Sequence, residues 1–521
     1  VNLPLLATLA HAEVRLRMRR LSTLVVLLGV VALSWLMIGD PADGVTLISV
    51  GNARVLYTSS ALALGGAGLG GMLFSLAGFF LVRGRIAEDL RSGTGGVIAA
   101  TPVGNAGFLL SRWLGGVAYL GALVLAFLGA LLVCHALRGD GPIQPGVYLA
   151  TFLLVLLPTV LFAVSCAVLF DAWAPLMGKR GDVLYFLLWM AQLALASQLA
   201  GAVHGEVPGG FVFDFPGIAT AGVLFQATLH TDQLMLGGAS FDPHVAPVTL
   251  PAQLWTGSAV LVRAVCAALA LLPLLPAAGL FHRFSPDRAR PAHARRRRSP
   301  LALLNAWLRP LARLAQPLFR LAALLPGTAG QVLADVALTL TMAPAAIAAL
   351  LGFWLVSLCA APASLGGVLA AAVAVWGVLV SELGARDAQA GALELTGAVR
   401  GGLQRRDLRL TAATFVLGLL FTGVIALRWA PLSPVRACAV VSGVFALSAV
   451  ATLLGRLTET SRAFLALFLF GLYVALNATR VPALDVVGFN GVAHAGTVLG
   501  VLVTGLAALA GATAWSQRRW A

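Results

Sequence analysis

The sequence predicts an all-α integral membrane protein, and three observations carry that prediction. Hydrophobic residues make up 60% of the chain against 11% charged, with a mean hydropathy of +0.93; soluble domains carry charge on about a quarter of their residues. Apolar stretches of helix length recur from end to end with no soluble domain between them, and a hydrocarbon core needs about 20 residues of helix to cross. Lys and Arg gather in alternate connecting segments, the asymmetry that fixes the orientation of spanning helices.

Twelve stretches read as spans: 21–38, 61–82, 113–137, 149–170, 183–203, 257–281, 337–360, 364–381, 411–427, 437–455, 463–478 and 491–514. The first run is too long for a signal peptide and lacks a small-residue cleavage site, so it reads as a retained span. With the amino terminus inside, cytoplasmic segments hold 29 of the 35 Lys and Arg residues. Both termini are then cytoplasmic, as expected for a multi-pass protein of a bacterial inner membrane. The longest external loop, 204–256, has no Lys or Arg and is the surface offered to a periplasmic partner.

The net charge of +15 follows from this topology and from attraction to anionic membrane lipids. It does not point to nucleic acid, because the basic residues flank spans. The five cysteines match no zinc or redox spacing and read as buried structural thiols. Three His and acid pairs lie in the external loop, His204 with Glu206, His230 with Asp232 and Asp242 with His244; residues in a wet loop read as solvated rather than as a metal site.

A basic run containing Arg295, Arg296, Arg297 and Arg298 divides six spans from six. The resulting domains are 1–281, a linker over 282–335, and 336–521. Within the linker Asn305, Arg309, Arg313, Gln316 and Arg320 form one polar stripe on an otherwise apolar helix, a pattern suited to the membrane interface. Pro310 and Pro317 are expected to bend it. The run from Leu5 to Arg20 holds the equivalent place before the first half. Two halves that both start inside read as parallel repeats, a common way to build a transport path.

Each half also joins its second span to its third through a short charged segment bearing glycine. The first runs from Gly84 to Thr94 and contains Arg85, Glu88, Asp89, Arg91 and Gly93; the second runs from Gly384 to Glu394 and contains Arg386, Asp387 and Gly391. Asp89 aligns with Asp387 and Gly93 with Gly391. Glycines let such a segment turn tightly, and its charges are placed to engage a soluble partner.

These segments resemble the permease subunits of ABC transporters of the type-two exporter class. The match rests on Glu88, Asp89, Arg91, Gly93, Thr94, Thr101 and Pro102 in the first half, and on Asp387, Gly391, Leu393, Glu394 and Leu395 in the second. Val399 and Arg400 stand where Thr101 and Pro102 would align, so the second copy departs from the pattern. The resemblance implies two fused six-helix halves, with interfacial helices before each. It also makes the charged segments coupling helices that seat on two nucleotide-binding ATPase subunits, a pair of copies of one chain, with ATP and Mg bound there.

A phosphate-binding loop requires Gly-x-x-x-x-Gly-Lys, yet the single lysine, Lys179, has Trp173 where the first glycine belongs. Hydrolysis is thus assigned to a separate chain, with no cofactor in this one. Spans nearly free of Asp, Glu, Lys and His at mid-depth disfavour an ion-coupled secondary transporter. No Asp-rich or paired-His motif on a cytoplasmic loop supports the other alternative, a membrane-embedded enzyme modifying lipids. Apolar walls suit an amphiphilic or hydrophobic cargo such as a drug, peptide, natural product or lipid. Arg263, near the outer end of the sixth span, is expected to reach the interface.

Overall fold

The computed structural model describes residues 3–19, 21–41, 44–201, 209–229, 234–281, 308–389, 392, 402–477 and 481–518. It divides into two units, Val1–Arg296 and Arg297–Ala521.

In the first unit α1 (Leu3–Met18) and α2 (Leu21–Met37) precede a short strand pair, β1 (Val45–Val50) and β2 (Ala53–Arg54). There follow α3 (Ser59–Val82), two short helices α4 (Arg85–Arg91) and α5 (Thr94–Ala99), α6 (Asn105–Arg138), α7 (Pro145–Ala172) and α8 (Lys179–Gly201). The unit ends with α9 (Ile218–Leu229), β3 (Leu234–Ser240), α10 (Gly257–Leu269) and α11 (Leu274–Leu280).

Helix α3 is the centre of this unit. Gly66, Gly70 and Gly78 line one of its faces, and a Cβ at any of them would run into Leu131, Phe127 or Leu120 of α6. Small residues at such spacing let apolar helices approach closely where water drives nothing together. Phe79 of α3 stacks on Tyr185 of α8 with ring centroids 3.6 Å apart, and the Tyr185 hydroxyl donates to the Ser75 carbonyl at 2.6 Å.

The second unit opens with a 3-10 turn at Arg309–Ala315 and α12 (Gln316–Leu324), then α13 (Gly327–Met342), α14 (Pro344–Cys359) and α15 (Leu365–Val380). A 3-10 turn at Leu383–Ala385 leads into α16 (Arg386–Gln389), followed by α17 (Gly402–Trp429), α18 (Pro434–Thr458), α19 (Arg462–Asn477) and α20 (Ala495–Arg518). Helix α18 packs against α17 and α20, and Trp376 of α15 is fully buried, donating its indole N–H to the Thr414 carbonyl at 3.1 Å.

Among the described residues eight helical stretches are long and apolar enough to cross a membrane, or nine if the bent pair α13 and α14 counts as one. The chain is therefore a largely helical, multi-pass membrane protein. Shorter apolar helices stand at Val26–Met37 and Arg462–Asn477, where the sequence reading placed full spans.

Three expectations need correction. The stretch 337–360 is not one straight helix: α13 and α14 meet at Ala343–Pro344 with a bend of 100°, because proline denies an N–H to the preceding turn. The chain is not purely α, since β1 pairs antiparallel with both β2 and β3 in a three-stranded sheet. Cys359 and Cys438 are exposed, unlike Cys134, Cys166 and Cys266.

At the linker prolines a 3-10 turn gives way to α12 at Gln316–Pro317. No residue of α12 is buried and Arg309, Arg313 and Arg320 are exposed. Asn305 and the Arg295–Arg298 cluster lie outside the described residues.

Candidate functional site

The first charged segment is bounded by two glycines with left-handed backbone, Gly84 at φ 94° and Gly93 at φ 75°, a conformation that side chains rarely adopt. Between them α4 makes two turns, and Gly93 reverses the chain into α5. The amides of Gly84 and Arg85 at the start of α4 lack intrahelical acceptors, as first-turn amides do. Asp171, at the carboxyl end of α7, accepts both, at 2.7 and 3.0 Å.

The charges turn inward rather than toward solvent. Glu13 of α1, 2% exposed, is their hub: Arg17 bonds one carboxylate oxygen at 2.8 Å, while Arg85 at 3.3 Å and Arg112 of α6 bond the other. Arg112 also reaches Asp89 at 2.7 Å, so α1, α4 and α6 are joined by one side chain. Glu88 pairs with Arg85 at 2.8 Å and stays partly exposed. Beside this cluster Arg83, Asp171 and Asp182 form a second buried ion set. Burial raises the Glu13 carboxyl, but Arg17, Arg112 and Arg85 outweigh it and hold the group below the usual carboxylate range.

What α4 and α5 show outward is small and weakly polar: Ser92, Gly93, Thr94, Gly96 and Val97, the last 70% exposed. The Ser92 and Thr94 hydroxyls share a hydrogen bond at 2.8 Å. The backbone of Arg91 ends α4, and its side chain lies outside the described set.

In the second unit the charged segment is shorter. Gly384 lies so close to α18 that a Cβ on it would collide with the Ala451 carbonyl oxygen, and one on Gly455 would collide with the Gly384 backbone. Asp387 stands 3.8 Å from Arg406 and 3.9 Å from Arg456. Asp407, fully buried, accepts from Arg456 at 2.8 Å and from the Ser516 hydroxyl at 2.6 Å. Asp335 of α13 pairs with Arg409 at 2.9 Å, and Arg386 donates to the Thr339 hydroxyl at 3.5 Å. Gly391, Leu393, Glu394, Leu395, Val399 and Arg400 lie outside the described residues.

Of the residues singled out from sequence, Arg85, Glu88 and Asp89 thus come together, whereas Arg386 and Asp387 meet different partners, Thr339 for the first and Arg406 and Arg456 for the second. Missed were their partners: Glu13, Arg17, Arg112 and Asp171 in the first unit, and Asp335, Arg406, Asp407, Arg409 and Arg456 in the second. A signal existed for Glu13 and Asp407, carboxylates that stand beside arginines in the sequence, but not for Asp171 and Asp335, which have no arginine near them.

Arg263 is also placed differently from expectation. It is 1% exposed and donates to the carbonyls of Leu154, Asp214 and Val155 at 2.7, 2.5 and 3.1 Å. Pro158 explains the first of these, since proline has no N–H for the carbonyl four residues back. Among the described residues no three His, Cys, Asp or Glu side chains group as metal ligands. Asp242 and His244 sit in an exposed turn, and the other two His and acid pairs lie outside the described residues. Comparison with protein-family models and with curated proteins returns no match.

Proposed function

We propose that this chain is the transmembrane permease of an ATP-driven exporter. In this reading twelve spans form two fused six-helix halves, and two separate ATPase subunits bind ATP and Mg and seat under the charged segments. The cargo class is amphiphilic or hydrophobic, and the location is the bacterial inner membrane with both termini in the cytosol.

One observation supports the reading most. In each unit an acid on an early helix pairs with an arginine on the long helix that follows the charged segment. In the first unit these are Glu13 and Arg112, with Arg85 of the segment on the same acid; in the second they are Asp335 and Arg409. Asp89 with Arg112 and Asp387 with Arg406 add a second pair at matched places. A loop that served only as a connector has no need of such bracing. A segment that must pass a push from a partner into the bundle does, because force travels through packed and bonded elements, not through a slack chain.

The inward charges change which residues meet the partner. Contact falls to Thr94 and Val97 on the outward face, while Asp89 and Arg85 stiffen the segment from behind. Capture of the full chain from its native membranes in mild detergent is expected to bring down a nucleotide-hydrolysing subunit at two copies per chain. Val97→Asp and Thr94→Asp are expected to lose it with unchanged thermal stability. Transport by the reconstituted chain that runs on an ion gradient without ATP, or native capture with no ATPase, would sink the reading in favour of a secondary transporter.

A further inference from the structure

The segments that join the fifth and sixth apolar helices of each half carry the same pattern, Asp214-Phe215-Pro216-Gly217 and Asp485-Val486-Val487-Gly488. In both, the glycine N–H donates back to the aspartate carbonyl, at 3.1 and 3.2 Å, and the glycine has a positive φ, 76° and 80°. Both aspartates are buried. Their carboxylates accept from backbone amides that follow, Gly217 and Thr220 in one unit and Asn490 and Val492 in the other.

Each turn is pressed into its own bundle at glycines. A Cβ on Gly71 of α3 would collide with the Pro216 carbonyl oxygen, and one on Gly366 of α15 would lie 2.7 Å from that of Phe489. Each turn is also fastened by an arginine that donates to its carbonyls: Arg263 to Asp214, and Arg436 to Gly488 and Phe489 at 2.7 Å each.

The fourth long helix of each half touches both this turn and the charged segment. Helix α7 meets the turn through Thr159, whose hydroxyl donates to the Phe215 carbonyl at 2.8 Å, and through Leu154 and Val155, held by Arg263. At its other end Asp171 caps α4. Helix α18 carries Arg436 at its start and Arg456, bonded to Asp407 and near Asp387, at its end. Twelve to seventeen residues separate these contacts along α7 and twenty along α18, about 18–26 Å and about 30 Å at 1.5 Å per residue, against about 30 Å for the hydrocarbon core.

We infer that the fourth helix of each half is a transmission rod that carries motion of the charged segment to an Asp-x-x-Gly turn closing the opposite end of that half. Arg263 and Arg436 are the positioning residues that keep each turn seated. In the first half the rod has a built-in joint, because Pro158 frees the Leu154 carbonyl and the arginine that binds it also binds the turn. A shift of α7 at Pro158 therefore loosens the turn in the same step. The direction of closure rests on the permease reading; the mechanical link does not.

Cys266 supplies a native reporter. It is fully buried, and its sulfur lies 3.8 Å from the Asp214 carbonyl under the first turn. Cys166 on α7, also buried, reports general unfolding. The full chain in proteoliposomes is treated with a membrane-impermeant maleimide and the labelled cysteines are located by mass spectrometry. Gly71→Ala, which unseats the turn, and Asp171→Ala, at the far end of the rod, are each expected to label Cys266 about tenfold faster than the wild type, as for a minor open state raised by that factor. Cys166 stays protected.

Unchanged Cys266 labelling in Gly71→Ala overturns the turn as a closure. Faster labelling there but not in Asp171→Ala overturns the rod. If Gly71→Ala also exposes Cys166, Arg263→Lys takes its place, with one nitrogen to serve three carbonyls. No ATPase enters the assay, so absence of an ATPase partner defeats the permease reading and leaves this result standing.

Discussion

Glu13→Gln is expected to destabilise the full chain by about 3–5 kcal/mol, the usual consequence of removing one partner from a buried charge set. The substitution preserves volume, so the loss is electrostatic. Three guanidiniums, from Arg17, Arg85 and Arg112, converge on a carboxylate that is 2% exposed, and neutralising it leaves them to repel one another in a poor dielectric. Glu88→Gln is the matched control. Its side chain is 41% exposed and its pair with Arg85 spans three residues of one helix, a geometry that contributes about 0.3–0.5 kcal/mol. Thermal unfolding in one detergent checks both, and near-equal shifts would tell against Glu13 as the hub.

The same carboxyl gives a pH signature. Its value in the folded chain is held below the ordinary 4.5, so its contribution is fully present above that value and is lost as pH falls through the lower, folded one. The wild type is therefore expected to lose stability over that acid window, and Glu13→Gln to lack that part of the loss.

Much of the architecture is legible in the sequence because membrane helices are a coarse signal. Length and apolarity place a helical element on every one of the twelve apolar runs. Breaks are less legible. Pro344 marks the bend between α13 and α14, but the apolar residues on both sides of it read as one run. The sheet escapes for a different reason: β1 and β3 are paired across more than 180 residues, so no local hairpin signal announces either strand.

The candidate site divides along the same line. The charged segments are local and were visible as glycine-bounded interruptions of apolar sequence. Their wiring is non-local, since Glu13 lies 72 residues from Arg85 and Arg112 lies 99 from Glu13. A charged residue at the edge of a span can face solvent, headgroups or a buried partner, and nothing in its neighbours decides which. Arg263 shows this most directly: an arginine near the end of an apolar helix is expected to reach out, yet Pro158 and the Asp214 turn supply three carbonyls that hold it inside.

Asp407→Asn is the second substitution expected to have a large effect, about 3–5 kcal/mol. Asp407 is fully buried and joins three helices, with one oxygen on Arg456 of α18 and the other on Ser516 of α20. Without its charge, Arg456 keeps its longer contact to Asp387, at 3.9 Å, an acid that Arg406 also approaches at 3.8 Å. The prediction has a built-in check, because buried ion pairs replaced whole by apolar groups are often neutral or better, whereas halved pairs are not. Asp407→Asn combined with Arg456→Met should therefore recover part of the loss, giving a coupling free energy of at least roughly 1 kcal/mol in a double-mutant cycle. Arg406 remains in the double variant and sets the part not recovered. Strict additivity of the two single losses in the unfolding of the full chain would mean that Asp407 acts through packing around Ser516 rather than through the charge it holds against Arg456.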